Sequence, residues 1–495
     1  MKASGANAMS PETSASFGRG WGFPSRRAFL ERSTLGLSTL ALAWLGEQEA
    51  GRAAAAGGFD LCPRQGHFPA QATAVIMLMQ SGGPSHVDLF DPKPELTRRD
   101  GQHYPGDVET LQTGSQEKKL MASPFRFFPR GACGTELSEL LPAIGTVADD
   151  VCLVRSMFSD NNNHPQATRC LNTGKIFPGR PALGSWIGYA LGTENQDLPA
   201  FVALRDPNGY SSSGATVWEN GWLPALFRGV EIHSQGDAVL NLHAAAPLPD
   251  GVERDKLELL ARLNEERRRL YPCESELDAR IRNYELAARM QLGAERVLDL
   301  SRETAATRVL YGLDDPLTEN LGTRCLMARR MVESGVRFVL VMVPLTSGDW
   351  DHHGNIKQGL ESVCPRVDRP TAALVRDLKE RGLLDTTIVL WTGEFGRLPI
   401  SQGGNGRDHN RHAFSLLLAG GGFRAGHVHG ASDEFGYKAV EGRVSCPDLL
   451  ATILWQMGLD HDRLKYPHHG REETLTDSVV TAARVVRDLL ARPAG

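Results

Sequence analysis

The chain carries two kinds of apolar pattern, and they take turns along its length. Short continuous runs occur at 74–79, 151–155, 200–204, 336–343, 387–391 and 414–419. Several are rich in β-branched residues, and runs of this length read as strands buried on both faces. Between them lie stretches in which apolar residues recur every three or four positions, at 136–148, 182–191, 323–334, 366–381, 447–457 and 477–490. That spacing gathers apolar side chains on one face of a helix. In the first stretch the shared face is Leu137, Leu140, Leu141 and Ile144. Residues 250–299 differ, being dense in Glu, Arg, Leu and Ala, with Leu257, Leu260 and Leu263, then Leu277, Ile281 and Tyr284, in helical step. Pro272 interrupts them, which predicts a helical hairpin inserted at about 250–310 with a solvated charged face. Strands alternating with helices predict an α/β fold.

Polar clusters follow successive strands, at 80–91, 159–164, 347–355 and 394–412. In α/β sheets ligands bind just beyond the carboxyl ends of the strands, so these four clusters are expected at one rim. The last one is the most concentrated. The strand 387–391 runs into Thr392-Gly393-Glu394-Phe395-Gly396-Arg397, and Arg407-Asp408-His409-Asn410 follows a glycine-rich loop. A carboxylate at a strand end and an imidazole fifteen residues on can converge on one point. The alternative is a turn cap at Glu394 and an ordinary loop histidine at His409. Asp351 and His353 stand two apart, so both face one way if the segment is extended, and His352 then points elsewhere. Carboxylates and imidazoles are the ligands of zinc, manganese or iron. Asp88 and Asp91 are either further ligands or holders of their own loop. The Gly82-Gly83 pair lacks the lysine of a phosphate-binding loop and the spacing of a dinucleotide fingerprint.

Length and charge narrow the class. A chain of 495 residues with 41% hydrophobic residues can build one large domain or two medium ones. Its net charge of −5 gives no basic surface for nucleic acid. None of the eight cysteines form a C-x-x-C pair. Near the start, Arg26-Arg27 precedes an apolar stretch at about 35–45, and Ala53–Ala56 offers cleavage sites. Paired arginines before a short apolar run read as a twin-arginine export signal over residues 1–56, with the domain proper at 57–495. The apolar stretch is short of the roughly 20 residues of a comfortable membrane span. The expected destination is the periplasm or cell surface, with no membrane span in the mature chain.

Several motifs together resemble a known family. The export signal, Gly82-Gly83-Pro84-Ser85 with Asp91-Pro92-Lys93-Pro94, Trp350-Asp351-His352-His353, Thr392 to Arg397 and Gly406 to His409 are similar to domain-of-unknown-function family 1501. That family is similar to the alkaline phosphatase and sulfatase superfamily. The resemblance implies an alkaline-phosphatase-like fold, with a mostly parallel central sheet sandwiched between helices. It implies a metal-dependent hydrolase of phosphate or sulfate esters, on small molecules or glycans, with one or two divalent ions such as zinc, manganese or calcium. Asp351, His353 and His409 would hold one metal, and Glu394, with Asp88 as a substitute ligand, a second. Arg397 and Arg407 would clamp anionic oxygens, or equally balance Glu394 and Asp408. Two departures stand out: Phe395 replaces a metal histidine, and His164 stands nine residues before Thr173-Gly174, where a sulfatase keeps its nucleophile. His164 is thus a nucleophile, a ligand or a structural residue, and a non-catalytic binding protein on the same fold is the alternative function.

Overall fold

A computed structural model describes residues 59–235, 251–271, 275–344 and 349–491. The export segment with Arg26 and Arg27 lies outside the described residues, as do Pro272 and the first two positions of the cluster 347–355. The apolar runs become strands of one nine-stranded sheet. They are β1 (Ala74–Gln80), β2 (Val151–Phe158), β3 (Phe201–Arg205), β5 (Phe338–Val343) and β6 (Thr387–Thr392), with β4 (Val230–His233), which no apolar run marks, added at one edge. A two-residue pair, β7 (Gly396–Arg397) and β8 (His409–Asn410), forms a separate small ribbon. The main sheet resumes with β9 (Phe414–Ala419), β10 (His427–His429) and β11 (Val444–Ser445). Its order is β10-β2-β9-β6-β1-β5-β3-β4, with β11 also paired to β2.

Every strand runs parallel to β1 except β9, which is antiparallel to both β2 and β6. This one reversal matters for the site. The carboxyl ends of β1, β2, β5 and β6 share a rim with the start of β9, so chain arrives at that rim from both directions. Ile76, Leu78, Val339, Leu340 and Leu390 are all within 1% of complete burial, which is why the central strands are apolar without alternation.

The flanking helices are α1 (His164–Thr173), α2 (Leu183–Leu191), α3 (Val252–Leu270), α4 (Ser275–Leu298), α5 (Glu319–Glu333), α6 (Ile356–Glu380) and α7 (Cys446–Gln456). The pair α3 and α4 is the expected hairpin, set between β4 and α5. Helix α6 begins ten residues before the pattern at 366–381, because its buried face already includes Ile356, Leu360 and Val363. It runs through Pro365 and Pro370.

Two expected helices are not there. Residues 136–148 give a strand, Thr135–Ser138, and a one-turn helix, Pro142–Gly145. Pro142 has no N–H to give a preceding turn and so starts a helix instead of continuing one. Residues 477–490 give only the short turns Ser478–Thr481 and Arg487–Leu489. There the backbone N–H groups of Arg484 and Val486 donate to Asp448 and Thr452 on α7, and Val479 is 96% exposed.

Leu340 lies opposite Met77 on β1 and Ala203 on β3 and is fully buried. Leu340→Ala should cost about 3 kcal/mol, read as a lower urea midpoint with unchanged slope.

Candidate functional site

Four of the rim segments converge, and Asp351 is their centre. Its Oδ1 lies 3.0 Å from His353 Nε2 and 3.2 Å from His409 Nε2. Its Oδ2 lies 3.3 Å from His164 Nε2. Ligand atoms of His164, Asp351 and His409 all fall within 4.8 Å of one another. His164 is the first residue of α1, delivered by the loop after β2. His409 is brought back by the ribbon, where it pairs with Arg397. Gly406 permits this return, because a Cβ there would meet the His353 carbonyl oxygen at 2.0 Å.

The far side of each imidazole fixes its tautomer. His409 Nδ1 is 2.7 Å from the backbone carbonyl oxygen of Asn162, which only accepts, so Nδ1–H donates to it. His353 Nδ1 is 2.6 Å from Gln402 Oε1. Gln402 Nε2 donates to the Thr113 carbonyl, so Oε1 is an acceptor and His353 Nδ1–H donates as well. His164 Nδ1 is 2.5 Å from Glu394 Oε1, a third acceptor. In neutral form all three rings therefore turn an Nε2 lone pair toward the Asp351 carboxylate. Lone pairs facing an anion repel unless a cation lies among them. The arrangement is that of metal-ligating histidines, whose second nitrogen donates to a carboxylate or carbonyl.

The titration behaviour agrees. Burial works against the charge on Asp351, but its contacts to His164, His353 and His409, with the Arg397 charge, hold its carboxyl well below the usual range. Burial lowers His164 too, yet the carboxylates of Asp351 and Glu394 outweigh it and push the ring up to about 9. Burial holds His409 down at about 4 against the pull of Asp351. Without a metal, one proton on His164 supplies the missing cation.

Glu394 sits just past β6, fully buried, and its Oε1 also accepts the Gly82 N–H at 2.9 Å. Its Oε2 has no partner among the described residues. Phe395 packs its ring against His164 at 4.8 Å and His409 at 4.5 Å, so the residue in the histidine's place forms an apolar wall.

Asp88 and Arg407 lie away from the cluster, and Arg397 touches it from behind. Asp88 does not join the cluster, because both its oxygens face Arg407, at 2.7 Å from Nε and 3.1 Å from Nη2, and Ser85 donates to it too. Arg407 is fully buried in that pair and also donates to the Leu398 and Met121 carbonyls, so it is no clamp for a substrate. Arg397 is likewise fully buried. It donates to the carbonyls of Gly82, Gly83 and Arg407 and pairs with Asp351 Oδ1 at 2.5 Å. Its place is behind the cluster, not in front of it.

Asp408 accepts the N–H groups of Leu111 and Gln112 and so pins a loop. Asp91 pairs with Lys93, and His412 with Glu109. His352 points away and packs on Gly359. Gln402 and the Asn162 carbonyl, which orient two of the imidazoles, carry no signal of their own. Gln402 stands in a glycine-rich run, and a carbonyl belongs to every residue type.

A model of the family described as "Protein of unknown function (DUF1501)" matches residues 72–490. The chain belongs to this family. No curated protein sequence matches this DUF1501 chain. Its fold is similar to a phosphonate monoester hydrolase, SpPMH, from Silicibacter pomeroyi, with a TM-score of 0.35 and 10% identity over 86% of this chain and 78% of that one. It is similar to the PsFucS1 sulfatase from Pseudoalteromonas sp., at 0.32 and 12%, over 85% and 71%. A third is the lipoteichoic acid synthase LtaP from Listeria monocytogenes, at 0.33 and 8%, over 84% and 77%. Likeness at this level decides nothing about what the DUF1501 chain does.

The Asp88–Arg407 pair gives a direct check. Asp88→Asn leaves a buried guanidinium without its counter-charge and should cost about 3–5 kcal/mol of stability. Metal content of the folded variant should equal that of the wild type; loss of metal would return Asp88 to the ligand set.

Proposed function

We propose that this chain is an exported hydrolase that depends on one divalent transition-metal ion and cleaves phosphate or sulfate esters. The observation that carries this reading is the convergence of three Nε2 lone pairs on one carboxylate, each imidazole held from behind by an acceptor. His164, His409 and Asp351 would hold the ion, while His353, expected as a ligand, stands beside Asp351 outside that group. Two nitrogens and one oxygen suit zinc, manganese or iron, whereas calcium takes about six to eight oxygens. When bound, such an ion supplies Lewis-acid polarisation of an ester oxygen and stabilises developing charge.

The chain's own groups do the rest. Glu394, Gln402 and Asn162 set the imidazole tautomers, and Arg397 anchors Asp351. Phe395 keeps water from one side of His164 and His409. His164 is not a nucleophile in this reading, since Nδ1 is engaged by Glu394 and Nε2 belongs to the ligand set. The attack falls to water. Export rests on the Arg26-Arg27 signal, and no helix among the described residues is long and apolar enough to cross a membrane.

One observation favours a second reading, a metal-binding protein without turnover. Arg397 and Arg407 are both committed to protein acceptors, so neither is open to an anionic ester.

Purified mature protein should contain about one transition-metal ion per chain by elemental analysis. Asp351→Ala and His409→Ala should lose it, and Glu394→Gln should weaken binding by about 10- to 100-fold, as loss of an orienting partner does. The loaded protein should hydrolyse aryl phosphate, phosphonate or sulfate esters. Absence of metal from the wild type would end the metal reading. Full metal with no turnover would leave the second reading standing.

A further inference from the structure

The segment 109–115 supplies no group to the cluster around Asp351, yet it is bonded to the loops that carry it. Its main attachment is Asp408, which is fully buried. Asp408 Oδ2 accepts the N–H groups of Leu111 and Gln112, at 2.8 and 2.7 Å, and the Ser115 hydroxyl at 3.1 Å. Its Oδ1 accepts the N–H of His409 at 2.8 Å. One carboxylate thus joins the segment to the backbone of a cluster histidine. Two outer bonds run the same way. The Thr113 carbonyl accepts from Gln402, which holds His353. Glu109 pairs with Arg411 at 2.9 Å and with His412 at 2.8 Å, just beyond His409.

The segment has little apolar anchorage. Leu111 is 45% exposed, Gln112 and Thr113 are exposed, and burial resumes only at Val108 and Ser115. Segments with few buried apolar contacts open locally well before the fold does. Opening here carries a particular cost. Of the four hydrogen bonds that the Asp408 carboxylate accepts among the described residues, three come from the segment. A buried carboxylate stripped of its donors is strongly disfavoured. The segment therefore cannot lift while Asp408 stays buried, and the loop that holds Asp408 and His409 has to move with it.

We infer that the segment 109–115 is a strap whose attachment positions His409 for a metal ion, with Asp408 as the positioning residue that couples the two. This rests on the metal reading above, and it makes a reciprocal demand. Whatever the strap adds to the hold on an ion, the ion must add to the hold on the strap. An ion on His409 fixes the loop of Asp408, and the strap with it. A lifted strap frees His409 to turn away.

Amide hydrogen exchange of the full mature protein, with and without zinc, tests this. The amides of Leu111 and Gln112 should exchange about tenfold more slowly once zinc is bound. Those of Ala132 and Cys133 are the control. They donate to Asp149, which stands just before β2 and so at the far rim of the sheet, and their exchange should not change. Gln112→Pro and Ser115→Ala each remove one donor from Asp408. Both should release zinc to a chelator about tenfold faster, with unchanged far-ultraviolet circular dichroism. Zinc that binds without slowing exchange at Leu111 and Gln112 overturns the strap, and so does release at the wild-type rate in both variants. Equal slowing at Ala132 and Cys133 overturns it as well, since it marks stabilisation of the whole fold. A wild type that takes up no zinc or other divalent ion overturns the metal reading itself, and the strap's role with it.

Discussion

The guanidinium of Arg397 is the tie on which the site depends. It is fully buried, where a bare cation would be prohibitively costly. Four backbone carbonyls, from Gly82, Gly83, Trp350 and Arg407, and the carboxylate of Asp351 accept its hydrogens. These acceptors come from the loop after β1, the loop after β5 and the return of the ribbon. Three segments far apart in sequence are thereby held at one point. Gly82 shows how close the approach is, for a Cβ there would stand 2.8 Å from the Asp351 backbone nitrogen, and its φ is +118°. With Asp351 anchored, the three imidazoles have a fixed anion to face.

The sheet and its rim were legible because their causes are local. Buried β-branched runs mark strands wherever they occur, and the polar residues just past them mark the rim. Asp351, His409 and His164 were legible as chemistry for the same reason. What the sequence hid were pairings over long separations. Asp88, beside a Gly-Gly loop at a strand end, has every local feature of a ligand. Its fate is decided by Arg407, 319 positions away, which takes both its oxygens. The nearer misreadings are backbone effects. Pro142 ends a periodic run that otherwise reads as one helix. The helix read at 366–381, Pro370 included, begins ten residues earlier, before Pro365, because burial of Ile356, Leu360 and Val363 sustains it there.

The core beneath the rim carries two kinds of buried charge. Asp88 and Arg407 form a closed pair with matched forks and carbonyl support, which satisfies both ions and leaves nothing for a ligand. Asp351 and Glu394 are the opposite case. Glu394 keeps one oxygen without a partner among the described residues, and Asp351, tied on one oxygen by Arg397, faces three imidazole nitrogens. Buried polar groups that remain unmatched by the protein itself mark where something other than protein belongs.

The three imidazoles differ in their access to solvent. The side chains of His164 and His409 are 10% and 3% exposed, while that of His353 is 28% exposed and that of Asp351 25%. The cluster is thus a cup whose floor is closed by Phe395, His164 and His409 and whose lip is His353 and Asp351. In the metal reading, an ion would reach the inner pair over that lip, where Asp351 and His353, the latter held by its bond to Gln402, meet solvent.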